Sequence, residues 1–163
     1  MSVADIAADV ADPDGDDVNS LLEFAFGMDP TANNGGALVF NGTFGAGGTI
    51  GGTGQPVTLL EPIANGVDFR ALYVRRKDHL AAGLTYTAEF SAALATWSER
   101  AAVPAVLAAA SAFQVVSVPY PPFIGGKKTR FFRVRMTPSP RTIFQTSVFH
   151  ASVPMKKSAC SQR

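Results

Sequence analysis

Thr85-Tyr86-Thr87-Ala88-Glu89-Phe90-Ser91 alternates polar and apolar residues without a break. A period of two places Thr85, Thr87, Glu89 and Ser91 on one face of an extended chain and Tyr86, Ala88 and Phe90 on the other. This is the pattern of a half-buried strand with a polar outer face. Residues 130–137 repeat it, with Phe132, Val134 and Met136 inward and Arg133 and Arg135 outward. Residues 69–76, 113–118 and 142–149 share the strand composition. Turn signals divide these runs at Asn65-Gly66, Ala82-Gly83, residues 119–122 and Gly125-Gly126. Short strands separated by tight turns predict a mainly β fold, an antiparallel β-sandwich.

Working outward, the pattern weakens. Residues 33–54 hold nine of the 15 glycines, which makes ordering them costly in entropy. They read as turns and loose edge strands, with residues 37–40 and 56–60 as the two short pieces able to extend. Residues 101–112 are alanine-rich but contain Pro104, and they read as a loop or irregular strand.

Upstream lies a different kind of signal, Asp12-Pro13-Asp14-Gly15-Asp16-Asp17-Val18-Asn19-Ser20-Leu21-Leu22-Glu23. Oxygen-bearing side chains fall at loop positions 1, 3, 5, 9 and 12, and Val18 offers a carbonyl at position 7, in the ligand order of an EF-hand calcium loop. Calcium takes about six to eight oxygens, and a terminal glutamate can close its shell with both carboxylate oxygens. The expected ligands are Asp12, Asp14, Asp16 and Glu23 directly, Val18 through its carbonyl, and Ser20 through water. Asp17 stands where the loop turns sharply and glycine is usual. Asp accepts a left-handed backbone better than most residues, so a weakened calcium site is expected. Residues 21–26 predict a short helix ended by Gly27, with Pro30 beyond. Residues 3–10 carry only a weak apolar pattern, too little for a paired helix before the loop.

Composition narrows the function classes. The chain has 163 residues, 47% hydrophobic and 17% charged, enough for one core. Its net charge of +1 conceals an asymmetry: residues 1–29 hold eight of the 13 acids and none of the 14 bases. The basic residues of the remainder are spread over several strands, with no recognition-helix or RNA-binding signature, so nucleic acid is not an expected partner. No apolar run approaches the roughly 20 residues needed to span a bilayer. Residues 1–10 contain two aspartates and no base, unlike a signal peptide, so export would rely on a signal carried by a longer chain. The single cysteine, Cys160, allows no internal disulfide.

Enzymatic motifs fail individually. Gly125-Gly-Lys-Lys-Thr129 has Pro121 at the first glycine position of a phosphate loop and Lys128 where Ser or Thr would bind magnesium, so it reads as a turn. Gly45-Ala-Gly47 lacks the third glycine of a dinucleotide loop. His79 and His150 are too few for a zinc site or a triad and read as surface or strand residues. Glu61, Asp68, Asp78, Glu89 and Glu99 supply scattered carboxylates but no marked pair, and Glu89 reads as solvent-exposed. Trp97, Tyr73, Tyr86 and Tyr120 keep a sugar-stacking role open, although a tryptophan in a sandwich more often anchors a core.

The order of these pieces resembles a C-terminal module of large exported proteins of environmental bacteria. The match runs through the stretch from Asp12 to Pro30, then Arg75-Arg76-Lys77-Asp78, Tyr86 to Ser91, Leu94 to Trp97, and Phe131 to Arg135. It spans about residues 11–137 and departs from the family at Asp17 and at Ser20, where asparagine is usual. The resemblance implies a calcium-loop-bearing β-sandwich without catalytic activity, at the end of a surface or secreted protein. The resulting expectation is an acidic EF-hand-like loop and short helix in residues 1–30, and a glycine-rich linker with edge strands in 31–66. A β-sandwich body in 67–137 and a tail in 138–163 complete it. Its function would be that of a calcium-stabilised accessory or interaction module, outside the cell or on its surface. The partners would be calcium and a surface glycan or protein, the chain being a monomer or part of a longer one. The alternatives are a carbohydrate-binding module and a fragment of a glycan-active hydrolase.

Overall fold

The structure is a computed structural model and describes residues 11–33, 35–100 and 102–138. The expected strand at 142–149, the weak pattern at 3–10, His150 and Cys160 lie outside these residues. In chain order the elements are α1 (Ser20–Phe26), β1 (Val39–Thr43), β2 (Gly47–Gly52), β3 (Val57–Ile63), β4 (Gly66–Arg76) and β5 (Leu84–Ser91). They continue with β6 (Ser98–Glu99), β7 (Ala105–Ala110), β8 (Phe113–Pro119), β9 (Phe123–Ile124), β10 (Lys127–Lys128) and β11 (Phe131–Pro138).

The two alternating stretches are partners. β5 and β11 pair antiparallel with Phe90 opposite Phe132, Ala88 opposite Val134 and Tyr86 opposite Met136, so their apolar faces coincide. With β6 they form a three-stranded sheet, order β11-β5-β6. The second sheet has the order β3-β4-β8-β7 and is antiparallel throughout. Its central strands carry continuous buried runs, Ala71-Leu72-Tyr73-Val74 and Val115-Val116-Ser117-Val118. Such runs occur where both faces of a sheet are covered. Ala71, Tyr73, Val116 and Val118 meet Ala88, Phe90, Phe132, Val134 and Met136 in one core, which makes the two sheets a sandwich. Leu72, Val74 and Val115 point the other way, into a second core with Leu38, Leu107 and Ala108.

The glycine-rich stretch covers that second face. β1 and β2 form an antiparallel hairpin whose Phe40, Phe44 and Ile50 pack on the second core. Gly42 and Gly48 stand opposite each other, and a Cβ on either would strike the partner strand's backbone. Glycine at this pair lets the strands approach. The hairpin is fixed to the sheet by Phe44 N–H donating to Glu61 Oε1 at 2.7 Å and by Arg70 lying 4.6 Å over the Phe44 ring.

The ambiguous alanine-rich segment is a strand with a bulge. Register shifts between Val106 and Ala108, so consecutive residues Leu107 and Ala108 both turn inward. A bulge sets two residues against one and erases the period of two on which sequence reading relies. Gly125-Gly126 forms the turn between β9 and β10, as the sequence indicated.

Candidate metal centre

The acidic loop is folded around its own first side chain. Asp12 Oδ1 accepts from the amides of Gly15 at 2.8 Å and Asp16 at 3.1 Å, and its Oδ2 accepts from Asp17 N–H at 2.9 Å. Asp16 Oδ1 accepts from Val18 N–H at 2.9 Å. Two left-handed residues curl the chain, Gly15 at φ 75° and Asp17 at φ 67°. Asp17 thus adopts the backbone that its position demands, with a side chain rather than glycine there.

These bends gather the carboxylates. Asp12, Asp14 and Asp16 each present an oxygen, all within 4.8 Å of one another, and together they could hold a metal ion. Both oxygens of Asp14, Oδ2 of Asp16 and both oxygens of Glu23 are buried without a hydrogen-bond partner among the described residues. Glu23 is the extreme case, 0% exposed on the first turn of α1. Burial, then the charges of Asp14, Asp16, Asp12 and Asp29, push its carboxyl up to about 7. Asp14 is raised, chiefly by burial, with Asp12 and Asp16 adding to it. Burial also acts to raise Asp12, but the amides of Asp17, Gly15 and Asp16 outweigh it and lower that carboxyl. No side chain among the described residues neutralises the cluster through an ion pair.

Ser20 and Val18 are both buried in the same turn. Ser20 Oγ donates to the Ala11 carbonyl at 3.2 Å, which leaves its lone pairs for a water. Asn19 is the helix N-cap and accepts from Leu22 N–H at 3.1 Å. Sequence reasoning passed over this residue, although an asparagine directly before an apolar run is an N-cap signal.

The far end of α1 is tied to both sheets. Gly27 ends the helix at φ 73°, and its carbonyl accepts from Thr53 Oγ1 at 2.6 Å. Tyr86 OH donates to Ala25 O at 2.8 Å. The Arg76 guanidinium stacks 4.3 Å from the Phe24 ring and bonds both oxygens of Asp78 at 2.9 Å. These partners are distant in sequence, and no local signal marks them.

The remaining candidates have structural surroundings. Glu89, read from sequence as exposed, is only 6% exposed, because Arg133 and Arg135 both bond its carboxylate from the neighbouring strand. Arg135 also bonds Glu99. Trp97 joins neither core and lies under Arg133, 4.4 Å from its guanidinium carbon. Tyr73 and Tyr86 stack on each other at 6.1 Å, and Tyr120 packs edge-on against Phe90. His79 Nδ1 lies 3.0 Å from Arg76 O, a contact within its own turn. Among the described residues no helix is long and apolar enough to cross a membrane. Comparison with protein-family models, curated proteins and solved structures finds no match to this chain.

Proposed function

We propose that residues 12–23 bind calcium and that the chain serves as a non-catalytic, calcium-stabilised accessory or interaction module of an exported or cell-surface bacterial protein. The observation that carries this reading is Glu23, fully buried without a hydrogen-bond partner, its carboxyl raised first by that burial and then by the charges of Asp14, Asp16 and Asp12. An unpaired buried carboxylate is unfavourable unless it is protonated or shares a cation. An all-oxygen donor set suits a hard cation, and the number of oxygens favours calcium over the smaller magnesium. The bound ion would supply positive charge between the loop and α1. Asp12, Asp14, Asp16 and Glu23 would hold it, with Val18 contributing its carbonyl and Ser20 a bridging water.

Export is the setting this site suits. Left-handed strain at Asp17 weakens it, and calcium sites of low affinity work where the ion is plentiful, as in extracellular modules. The resemblance to C-terminal modules of exported bacterial proteins agrees. The clamp of two arginines on Glu89 supports a structural role for that carboxylate rather than general acid or base chemistry.

Thermal melts in excess calcium, excess magnesium and chelator test the proposal, with Asp14→Asn and Glu23→Gln as near-isosteric variants. The expected result is a calcium-specific rise in Tm that is lost in both variants. An unchanged parent melt would overturn the reading.

A further inference from the structure

A second site stands apart from the metal centre and uses none of its residues. α1 meets β5 at Tyr86, whereas β6 pairs with β5 at Glu89 and Phe90, toward the other end of that strand. Beside β6 an open cleft of about 500 Å³ has Ser98, Glu99, Arg100, Pro121, Phe123 and Ile124 among its lining residues. Arg100 is held in place by its backbone N–H, which donates to Ala88 O at 3.3 Å. Its side-chain Nε is buried and has no hydrogen-bond partner among the described residues. The carboxylate in the lining, Glu99, is engaged by Arg135, which offsets its charge toward an anion. Arg100 therefore presents a guanidinium without an ion-pair partner among the described residues.

The opposite wall is the β9–β10 hairpin. Phe123 is 59% exposed, the most exposed aromatic ring among the described residues, and stands across from Lys128. Ile124 stands across from Lys127, and both lysines are exposed. Neither lysine, nor Arg130 after them, forms an ion pair among the described residues. A buried N–H without an acceptor is unfavourable, and a guanidinium matches a planar carboxylate in particular.

From this arrangement we infer that the cleft binds an acidic polysaccharide through a uronic acid residue, its carboxylate on Arg100 and its sugar ring on Phe123. Lys128, opposite Phe123 and so on the same face of the hairpin, continues the positive rim beyond the cleft and suits a chain with repeating negative charge, while Lys127 projects to the other face. An acidic peptide such as tetraglutamate would satisfy the cations but offers no C–H face of a sugar ring to stack on Phe123. Trp97, next to Ser98 in the chain, is not part of the cleft lining, and Arg133 already covers its face.

The test is titration of the whole chain, at fixed calcium, with trigalacturonate, neutral maltotriose and tetraglutamate, followed by backbone amide NMR. Trigalacturonate is expected to shift Phe123 and Gly125 and maltotriose to shift neither. Arg100→Gln is expected to weaken binding roughly tenfold or more, the effect of losing a hydrogen bond to a charged group. Phe123→Ala gives a second variant at an exposed side chain, so its fold is expected to survive, and its binding is expected to fall as well. Absence of trigalacturonate binding would overturn the inference. So would tetraglutamate binding as tightly, or a folded Arg100→Gln protein that binds like the parent.

Discussion

Four carboxylates in one turn repel one another unless protons or a cation intervene, and Glu23 registers that repulsion most directly. Its folded-state carboxyl lies at about 7, against a usual value of 4.5. Between those values the folded protein binds more protons than the unfolded one, so in chelator its stability is greatest below the lower value and declines as pH rises through about 7. The slope from one group is at most about 1.4 kcal/mol per pH unit. In the proposed site calcium must displace that proton, so its stabilisation is expected to shrink as pH falls below about 7. Urea denaturation of the parent and Glu23→Gln in chelator, from pH 5 to 8, checks this: the variant is expected to flatten the decline, and parallel curves would exclude Glu23 as its source. Asp17 makes a second case at the same scale. Its φ of 67° is unfavourable for any residue with a Cβ, and its exposed carboxylate adds to the local negative charge. Asp17→Gly relieves both and is expected to stabilise the protein in chelator by about 1 kcal/mol, read from urea midpoints. An equal or lower midpoint would show that the left-handed backbone is not strained. The clustering of Asp12, Asp14 and Asp16 was legible in the sequence because such a loop is local, its carboxylates written within a few consecutive residues. The burial of Glu23 was not, because it depends on what α1 packs against.

The helix shows how an element of seven residues is held by its buried face together with its ends. A helix this short is marginal in isolation. Asn19 caps its start, while Gly27 ends it against Phe113 and Thr53. A Cβ on Gly27 would lie 2.9 Å from Phe113 Cζ and 3.1 Å from Thr53 Cγ2, in a left-handed backbone. Asn19→Ala is expected to lower stability by about 1 kcal/mol, the usual loss for an N-cap. Gly27→Ala combines strain with a clash and is expected to lower it by about 2 kcal/mol. Denaturation of both variants would refute this ranking if Asn19→Ala proved the more damaging. The strands divide along similar lines. β5 and β11 were readable because each has one polar and one apolar face, so their alternation survives in the sequence even though Glu89 and Ser91 are buried. β4 and β8 are dry on both faces and show only strand composition. β7 was obscured by its bulge, and the β1–β2 hairpin by glycines whose purpose is the close approach of two strands. Its role as a cover for the second core is visible only once Leu72 and Val74 are seen to point away from the first.

At the scale of the molecule, the doubly covered β3-β4-β8-β7 sheet is the layer on which everything else rests. One face carries the second sheet and α1, the other the β1–β2 hairpin. The acidic loop reaches this layer through its own Val18 and through Leu21, Leu22, Ala25 and Phe26 of α1, which belong to the same core as Tyr73 and Val116. Tyr86, Thr53 and Arg76 fasten the helix further. If the loop binds calcium as proposed and unfolding of the sandwich releases it, calcium must stabilise the whole sandwich by mass action, by about 2.7 kcal/mol at a concentration 100 times its dissociation constant. Native-state hydrogen exchange measures that reach. The amides of Leu72, Val74, Val115 and Val116 exchange only through unfolding of the sandwich, so saturating calcium is expected to slow them roughly 100-fold at that ratio. Asn41 and Thr49 sit in a peripheral hairpin that can open by itself, and their rates are expected to change little. Slowing confined to residues 12–26 would show a metal that orders its own loop and leaves the sandwich to stand without it.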